Sequence, residues 1–141
     1  MDAPTMFTPV SARAASAYKR VGAQTSVEGA SPHQVICLLF EALLLSLNSA
    51  RGALARGDIE GKGQSIGKAV RILEEGLKAA LDIESGGELA VNLRGMYNYS
   101  ILRLTTANLK NDASLIEEVT QLIVPVFDAW KSINVPAVGN A

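Results

Sequence analysis

The chain has 141 residues, the size of a single domain, and a chain of this size buries about two-thirds of its unfolded surface without a disulfide or a metal. Hydrophobic residues make up 48% of it but aromatic residues only 5%, a composition of aliphatic side chains that favours packed helices. The net charge of −1 argues against a nucleic-acid-binding protein, which carries a surplus or a patch of basic residues.

The cellular compartment is indicated by three features. The only cysteine, Cys37, cannot form an internal disulfide and is compatible with a reducing compartment. Residues 1–4 show neither the cationic nor the apolar region of a signal peptide. The longest apolar stretch, Val35–Leu47, is shorter than the roughly 20 residues that a membrane-spanning helix needs. We therefore expect a cytoplasmic protein that does not insert into a membrane.

The first half of the chain predicts an arm and two helices. Residues 1–17 contain prolines, Thr, Ser and Ala, and a polar, Gly-containing segment follows up to Ala30. We expect residues 1–30 to form a flexible arm with a short helical turn near residues 12–17. Ser31-Pro32 is typical of a helix N-terminus, and Gly57 of a C-terminus, so the first helix should run to about Arg56. Asp58 then caps a second helix, which should extend to about Ile83.

The second half predicts two more helices. The third should run from about Glu88 to Lys110. The fourth, with Asp112 as its N-cap, should run from about Ala113 to Ile133, with a bend at Pro125. The predicted core stripes, spaced by three and four residues, are Ile66, Val70, Leu73, Leu77 and Leu81 in the second helix, Leu89, Leu93, Tyr97, Ile101 (or Ser100) and Leu104 in the third, and Ile116, Val119, Leu122 with Ile123, Val126 and Trp130 in the fourth.

These four helices, joined by short loops and without a competing strand pattern, predict an all-α fold. We expect an antiparallel up-down four-helix bundle over residues 31–135, preceded by the mobile N-terminal arm 1–30 and followed by a frayed tail, 136–141.

No catalytic, metal or cofactor site is predicted. His33 is the only histidine, so a metal site would need ligands that the sequence does not supply, and a surface or capping role is expected for it. Cys37 is one helical turn further on, but its neighbours Ile36, Leu38 and Leu39 are typical of inert packing. Residues 57–63 superficially resemble a phosphate-binding loop, but the spacing is one residue short and no Ser or Thr follows Lys62. We therefore interpret this segment as a loop-to-helix junction. We therefore expect a protein that is not an enzyme and uses no cofactor.

Apolar residues exceed what one helix face needs. Eleven of the thirteen residues in Val35–Leu47 are hydrophobic, and together they nearly encircle the first helix. The third helix adds Met96, Tyr99 and Leu102 outside its core stripe. Two interpretations remain open: the first helix is the most central one, or part of this surface forms a groove for an apolar partner.

A series of short motifs resembles one known family from Tyr18 to Trp130. The motifs are Ala30-Ser31-Pro32-His33-Gln34-Val35-Ile36, Gly57-Asp58-Ile59, Gly86-Gly87-Glu88-Leu89-Ala90, Tyr97-Asn98-Tyr99, Arg103-Leu104, Ala107-Asn108-Leu109 and Asp128-Ala129-Trp130. Their order and spacing are similar to those of the flagellar export chaperone FliS family.

The resemblance implies a function and a set of partners. Members of that family are helical bundles that bind the disordered C-terminal segment of flagellin in the cytoplasm, prevent its polymerisation and deliver it to the flagellar type III export apparatus. No nucleotide or metal is implied. Export gate components and a flagellin regulator are further candidate partners. The alternative is an adaptor or regulator that binds another flagellar or regulatory protein through the same apolar face.

The resemblance and the apolar stripes together predict the partner-binding residues. In the family the arm lies over part of the binding surface, so Tyr18 is predicted as a contact or a gate. Arg103 and Asn108 match the family's motifs but could equally tie the third helix to its neighbours. The predicted contacts are Tyr18, Ile36, Phe40, Leu43, Leu47, Ile59, Leu93, Met96, Tyr97, Tyr99 and Leu102.

Overall fold

The structure, a computed structural model, describes Ser16 and residues 30–133. The predicted arm, with Tyr18, and the tail 136–141 therefore lie outside the described part, apart from Ser16 and Ala30. Between residues 30 and 133 the chain forms only helices, which confirms the all-α fold. The helices are α1 (Pro32–Arg56), α2 (Ile59–Arg71, continued by a π-helical segment, Ile72–Lys78), α3 (Ile83–Lys110) and α4 (Ala113–Ser132).

The start and end of α1 follow the predicted capping residues. The Ser31 hydroxyl accepts from the backbone N–H of Gln34 at 3.1 Å, and the Gln34 side chain accepts from the N–H of Ser31 at 2.8 Å. This reciprocal capping satisfies two backbone donors that have no partner within the helix. Gly57, with φ 75°, ends the helix in the left-handed conformation that glycine adopts without strain.

The second helix differs from the prediction in its last third. Asp58 caps α2 as expected and accepts from the N–H of Gly61 at 2.9 Å. After Arg71, however, the helix widens into the π-helical segment and ends at Lys78, so the prediction of one continuous helix to Ile83 is wrong. Close packing accompanies the change, because a Cβ on Gly76 would lie only 3.1 Å from a methyl carbon of Leu39 in α1.

A break at one glycine divides α3. Asp82 caps its first turn and accepts from the N–H of Ser85 at 3.2 Å. At Gly87 the backbone has φ 58° and ψ −138°, outside the helical region, and regular helix continues from Glu88, the predicted start. Glycine is required here because this conformation crowds the Cβ of any other residue.

The last helix, α4, begins at the predicted N-cap and contains the predicted proline. Asp112 accepts from the backbone N–H of Ser114 at 2.9 Å. The helix continues through Pro125 to Ser132. Proline has no N–H, so it cannot donate the helical hydrogen bond to the carbonyl of Gln121.

The helices alternate in direction, as two hydrogen-bonded ties between their ends show. His33 at the start of α1 contacts Trp130 at the end of α4, and Lys62 at the start of α2 contacts Asn108 near the end of α3. The connections between helices are only two to four residues long, residues 57–58, 79–82 and 111–112. Each helix therefore returns beside the one before it.

The core explains most of the apolar surplus of α1. Nine of its 25 residues are buried, and they pack against α2 and α4. By length and composition alone α1 is long and apolar enough to cross a membrane, although its most apolar stretch, Val35–Leu47, is shorter than a membrane span needs. The core helix of a soluble protein passes the same test, and 44% of the apolar stretch of α1 is buried inside the bundle.

Candidate binding groove

An apolar cavity of about 700 Å³ opens at one end of the bundle, where α1 and α3 begin and α2 and α4 end. Its lining is apolar apart from His33, Asp82 and the Tyr97 and Trp130 side chains. The lining residues are Pro32, His33, Ile36, Phe40, Leu77, Ala80, Leu81, Asp82, Gly86, Leu89, Ala90, Leu93, Tyr97, Val126, Trp130 and Ile133. We call this cavity the groove.

Helical spacing places the side chains of one wall of the groove on a single face of α3. On α3, Leu89, Leu93 and Tyr97 recur every four residues and therefore lie on one face. Leu89 at the rim is 67% exposed, Leu93 is half-buried, and Tyr97 is 3% exposed. This burial raises the pKa of the Tyr97 hydroxyl. The prediction that Leu89 belongs to the core is wrong, because no helix in the described part of the chain covers α3 at this end.

The opposite wall is built by the start of α1 and the end of α4. In its inner part, Phe40 lines the groove and stacks on the buried ring of Phe127, which does not line it, with centroids 5.2 Å apart. Nearer the mouth, the rings of His33 and Trp130 stack at 5.0 Å with an angle of 13° between their planes. Aromatic contacts of this kind stabilise a packed interface beyond the area that they bury.

Two reciprocal hydrogen bonds accompany the outer ring pair. Nε2 of His33 lies 2.7 Å from the backbone oxygen of Trp130. A carbonyl can only accept, so this nitrogen carries the hydrogen and donates. The indole N–H of Trp130 donates in return to the backbone oxygen of His33 at 3.2 Å. The expectation of a surface or capping residue therefore holds only in part: His33 is half-buried and hydrogen-bonds a carbonyl in the last turn of α4.

Cys37 lies beside this pair without the properties of a nucleophile. Its sulfur is 3.9 Å from Nδ1 of His33. Burial, and then the negative charge of Glu41, raise the pKa of the thiol, so its neutral form is favoured. Among the described residues no group of three His, Cys, Asp or Glu side chains could hold a metal ion.

Four of the predicted partner-binding residues line the groove: Ile36, Phe40, Leu93 and Tyr97. Two others, Leu43 and Leu47, have 0% exposure in the core and offer no surface to a partner in this conformation.

The remaining predicted residues lie elsewhere. Met96, Tyr99 and Leu102 are on α3 but do not line the groove, and Ile59, 52% exposed, is at the start of α2, at the other end of the bundle. Leu102 is 62% exposed and Tyr99 is 41% exposed, so both remain available to a partner. Tyr18 lies outside the described residues.

Sequence reasoning missed the contribution of α4 to the groove. Val126 and Trp130 were predicted as core residues, and both are half-buried groove residues. Ile133, three residues after Trp130, continues the same face. The helical spacing was the available signal, but spacing alone does not distinguish a groove wall from a buried face.

Several motif residues have structural roles. Arg103 donates from Nε to Glu118 of α4 at 2.8 Å, and the Tyr99 hydroxyl donates to the other oxygen of Glu118 at 2.5 Å. Asn108 accepts from Lys62 of α2. The interpretation of Arg103 and Asn108 as ties between helices is confirmed.

Comparison with known proteins agrees with this architecture and with the motif series. The model of the family described as "Flagellar protein FliS" matches residues 14–137. The chain is 48% identical to the flagellar secretion chaperone FliS of Salmonella typhimurium over 118 residues, which cover 84% of this chain and 87% of the relative. It is 45% identical to the flagellar secretion chaperone FliSB of Pseudomonas aeruginosa over 122 residues, 86% of this chain and 96% of the relative. It is 41% identical to FliS of Escherichia coli over 120 residues, 85% and 88% of the two chains. The chain belongs to the FliS family of flagellar secretion chaperones, which is a family of chaperones and not of enzymes.

Proposed function

We propose that this protein is a cytoplasmic export chaperone that binds the disordered C-terminal segment of flagellin in the groove. Binding prevents premature polymerisation of flagellin, and the complex delivers it to the flagellar type III export apparatus. The groove is the observation that carries the proposal, because its chemistry suits an apolar peptide. The relatives of this chain are flagellar secretion chaperones, which supports the same function.

The groove has the size and polarity of a binding site for apolar side chains. Its volume of about 700 Å³ lies within the roughly 300–1,000 Å³ of typical ligand sites. Among the described residues that line it, Asp82 is the only one with a carboxylate, so a charged peptide segment would lose its hydration there without gaining a matching set of partners. An amphipathic helix with one apolar face satisfies its own backbone hydrogen bonds and can leave its polar face in water.

Exposed side chains on both walls favour a ligand that contacts α3 and α4 at the same time. Leu89 on α3 and Trp130 on α4 both retain exposed surface, whereas Phe40 at the bottom is 1% exposed. A peptide helix lying between these walls would bury apolar area that now faces water, which is favourable by about 25 cal/mol for each Å².

Co-purification with flagellin tests the proposal. Full-length flagellin co-expressed with this chain should be recovered with it at a near-equal molar ratio, whereas flagellin without its C-terminal segment should not. Equal recovery of the two forms would overturn the proposed segment specificity. In that case, competition between flagellin and other flagellar proteins would test the adaptor alternative.

A further inference from the structure

The outer wall of the groove is held by a small set of contacts. Val126 and Trp130 of α4, and Ile133 directly after its end, line the groove. Near the mouth this wall is tied to α1 by the His33–Trp130 stack and its two reciprocal hydrogen bonds. Farther from the mouth, Phe40 at the bottom of the groove stacks on Phe127 of α4, a core residue that does not line the groove.

The opposite side of this α4 segment faces solvent. Val124 is 37% exposed, and Pro125, Asp128 and Ala129 are exposed as well. Outward movement of the segment would therefore meet no packed layer among the described residues.

Pro125 provides a natural pivot at the base of the segment. It lies one residue before Val126, and it cannot donate a hydrogen bond to the carbonyl of Gln121. A helix that lacks one backbone hydrogen bond bends at that point at a lower cost than a regular one.

We propose that His33 is a positioning residue of the groove. It holds Trp130 and the α4 segment beyond Pro125 against α1, and this segment moves outward about Pro125 to admit a ligand wider than the resting groove. The inference rests on the proposed function for the identity of the natural ligand, but the movement of the wall can be tested without flagellin.

Trp130 reports on this movement because it is the only tryptophan in the chain. In the full-length protein, outward movement breaks the hydrogen bond from its indole N–H to the backbone oxygen of His33. This N–H, followed by NMR, should therefore become more accessible to hydrogen exchange with water when an amphipathic dye, 8-anilinonaphthalene-1-sulfonate, enters the groove. His33→Ala removes the stack and the Nε2 donor, so Trp130 should be more accessible before any dye is added. The dye should bind about fivefold more tightly, which is the change that the loss of one hydrogen bond gives to an equilibrium.

A matched control comes from an ion pair between the same two helices, far from the groove. Arg51 of α1 forms an ion pair at 3.0 Å with Glu117 of α4. Arg51 is 18 residues from His33, roughly 27 Å along the helix at 1.5 Å per residue. Arg51→Ala should leave the accessibility of Trp130 and the binding of the dye unchanged. Pro125→Ala restores the backbone donor and should reduce the response of Trp130 to the dye.

The outcomes separate the wall movement from the proposed function. No change in Trp130 accessibility when the dye binds to the wild-type protein would overturn the inference, whether or not any variant folds. It would also be overturned if His33→Ala, with unaltered circular dichroism, behaved like Arg51→Ala. If His33→Ala does not fold, His33→Phe, which keeps a stacked ring but lacks the donor, gives the same comparison. The expected dye results, together with a flagellin C-terminal segment that does not bind, would support the wall movement and overturn the proposed function.

Discussion

The ammonium group of Lys62, at the start of α2, donates to both oxygens of Asn108, near the end of α3. The distances are 2.9 Å to the backbone carbonyl and 2.7 Å to Oδ1. Lys62 is only 4% exposed, so these two acceptors replace water around a buried cation. The cation also lies where the carbonyls of the last turn of α3 concentrate negative partial charge, a favourable position. Asn108, part of a family motif, thus joins two helices at the end of the bundle opposite the groove.

Replacing Asn108 tests this tie. Asn108→Ala leaves the buried ammonium with one of these two acceptors, and the free energy of unfolding should fall by about 1–3 kcal/mol. Urea denaturation measures the change. Asn98→Ala, at an exposed position of the same helix, should change it by less than about 0.5 kcal/mol. Equal effects of the two variants would mean that the bond to Lys62 does not stabilise the fold.

Gly87 and Gly95 form a second matched pair on α3. Gly87 has φ 58° and ψ −138°, so Gly87→Ala should lower the free energy of unfolding by about 1–3 kcal/mol. Gly95 lies in the regular part of the helix, and a Cβ there would meet nothing within 4 Å. Gly95→Ala should therefore raise the free energy of unfolding, by up to about 1 kcal/mol. Thermal unfolding of the two variants distinguishes these opposite signs, and a stabilised Gly87→Ala variant would contradict the role of the break.

The helix ends could be predicted from the sequence because capping is local. Ser31, Gly57, Asp58 and Asp112 act within a few residues of their own position, and all four cap helices as expected. The π-helical segment could not be predicted in this way. It accompanies the close approach of Gly76 to Leu39, a contact between residues far apart in the chain.

The groove residues could not be predicted from the sequence for a different reason. Leu89, Val126 and Trp130 have the same helical spacing as residues of the core, and they were predicted as such. Whether such a face is buried depends on a neighbouring helix that covers it, and at this end of the bundle the four helices leave a gap. The apolar excess of α1 did indicate a surface of this kind, but Leu43 and Leu47, which were part of it, are fully buried.

The pH dependence of stability should report on Glu118. The hydrogen bond from Tyr99, followed by that from Arg103, lowers the pKa of the Glu118 carboxyl in the folded protein. The unfolded chain, in which the pKa of Glu is about 4.3, therefore takes up the proton first as the pH falls. The stabilisation is fully present above that value and is lost as the pH falls through the lower pKa of the folded state.

Glu118→Gln should therefore destabilise the protein at pH 7, and the difference from wild type should shrink below about pH 4.3. Tyr99→Phe removes the hydroxyl donor and should show a smaller difference with the same pH trend. Urea midpoints measured between pH 3 and pH 7, in roughly half-unit steps, provide the test. A difference that does not depend on pH would show that the carboxylate charge is not involved.

Two charge substitutions test which of the predicted partner-binding residues are buried in the core and which are exposed at the surface. Leu43→Glu places an unpaired carboxylate at a position with 0% exposure, so it should cost more than about 4 kcal/mol and unfold the bundle. Leu102→Glu, at a position with 62% exposure, should change the free energy of unfolding by less than about 0.5 kcal/mol. Circular dichroism and urea denaturation measure both. An unfolded Leu102→Glu variant would contradict the exposed position of this side chain.

The proposed binding of flagellin in the groove makes its sharpest prediction at Leu89. This side chain is 67% exposed at the groove rim, so Leu89→Glu should leave the fold and its thermal unfolding nearly unaltered. It should nevertheless weaken the binding of a flagellin C-terminal segment by 10-fold or more, about 1.4 kcal/mol, because a bound apolar helix would have to desolvate the new carboxylate.

Leu109→Glu is the control, since Leu109 is 81% exposed on the same helix, and the 20 residues between the two positions separate them by roughly 30 Å. It introduces the same charge away from the groove and should bind the segment like the wild-type protein. Titration calorimetry on the two variants compares the affinities directly. If both variants lose affinity equally, net charge or another part of α3 governs binding, and binding in the groove is contradicted. If only Leu89→Glu loses affinity, the flagellin C-terminal segment binds in the groove.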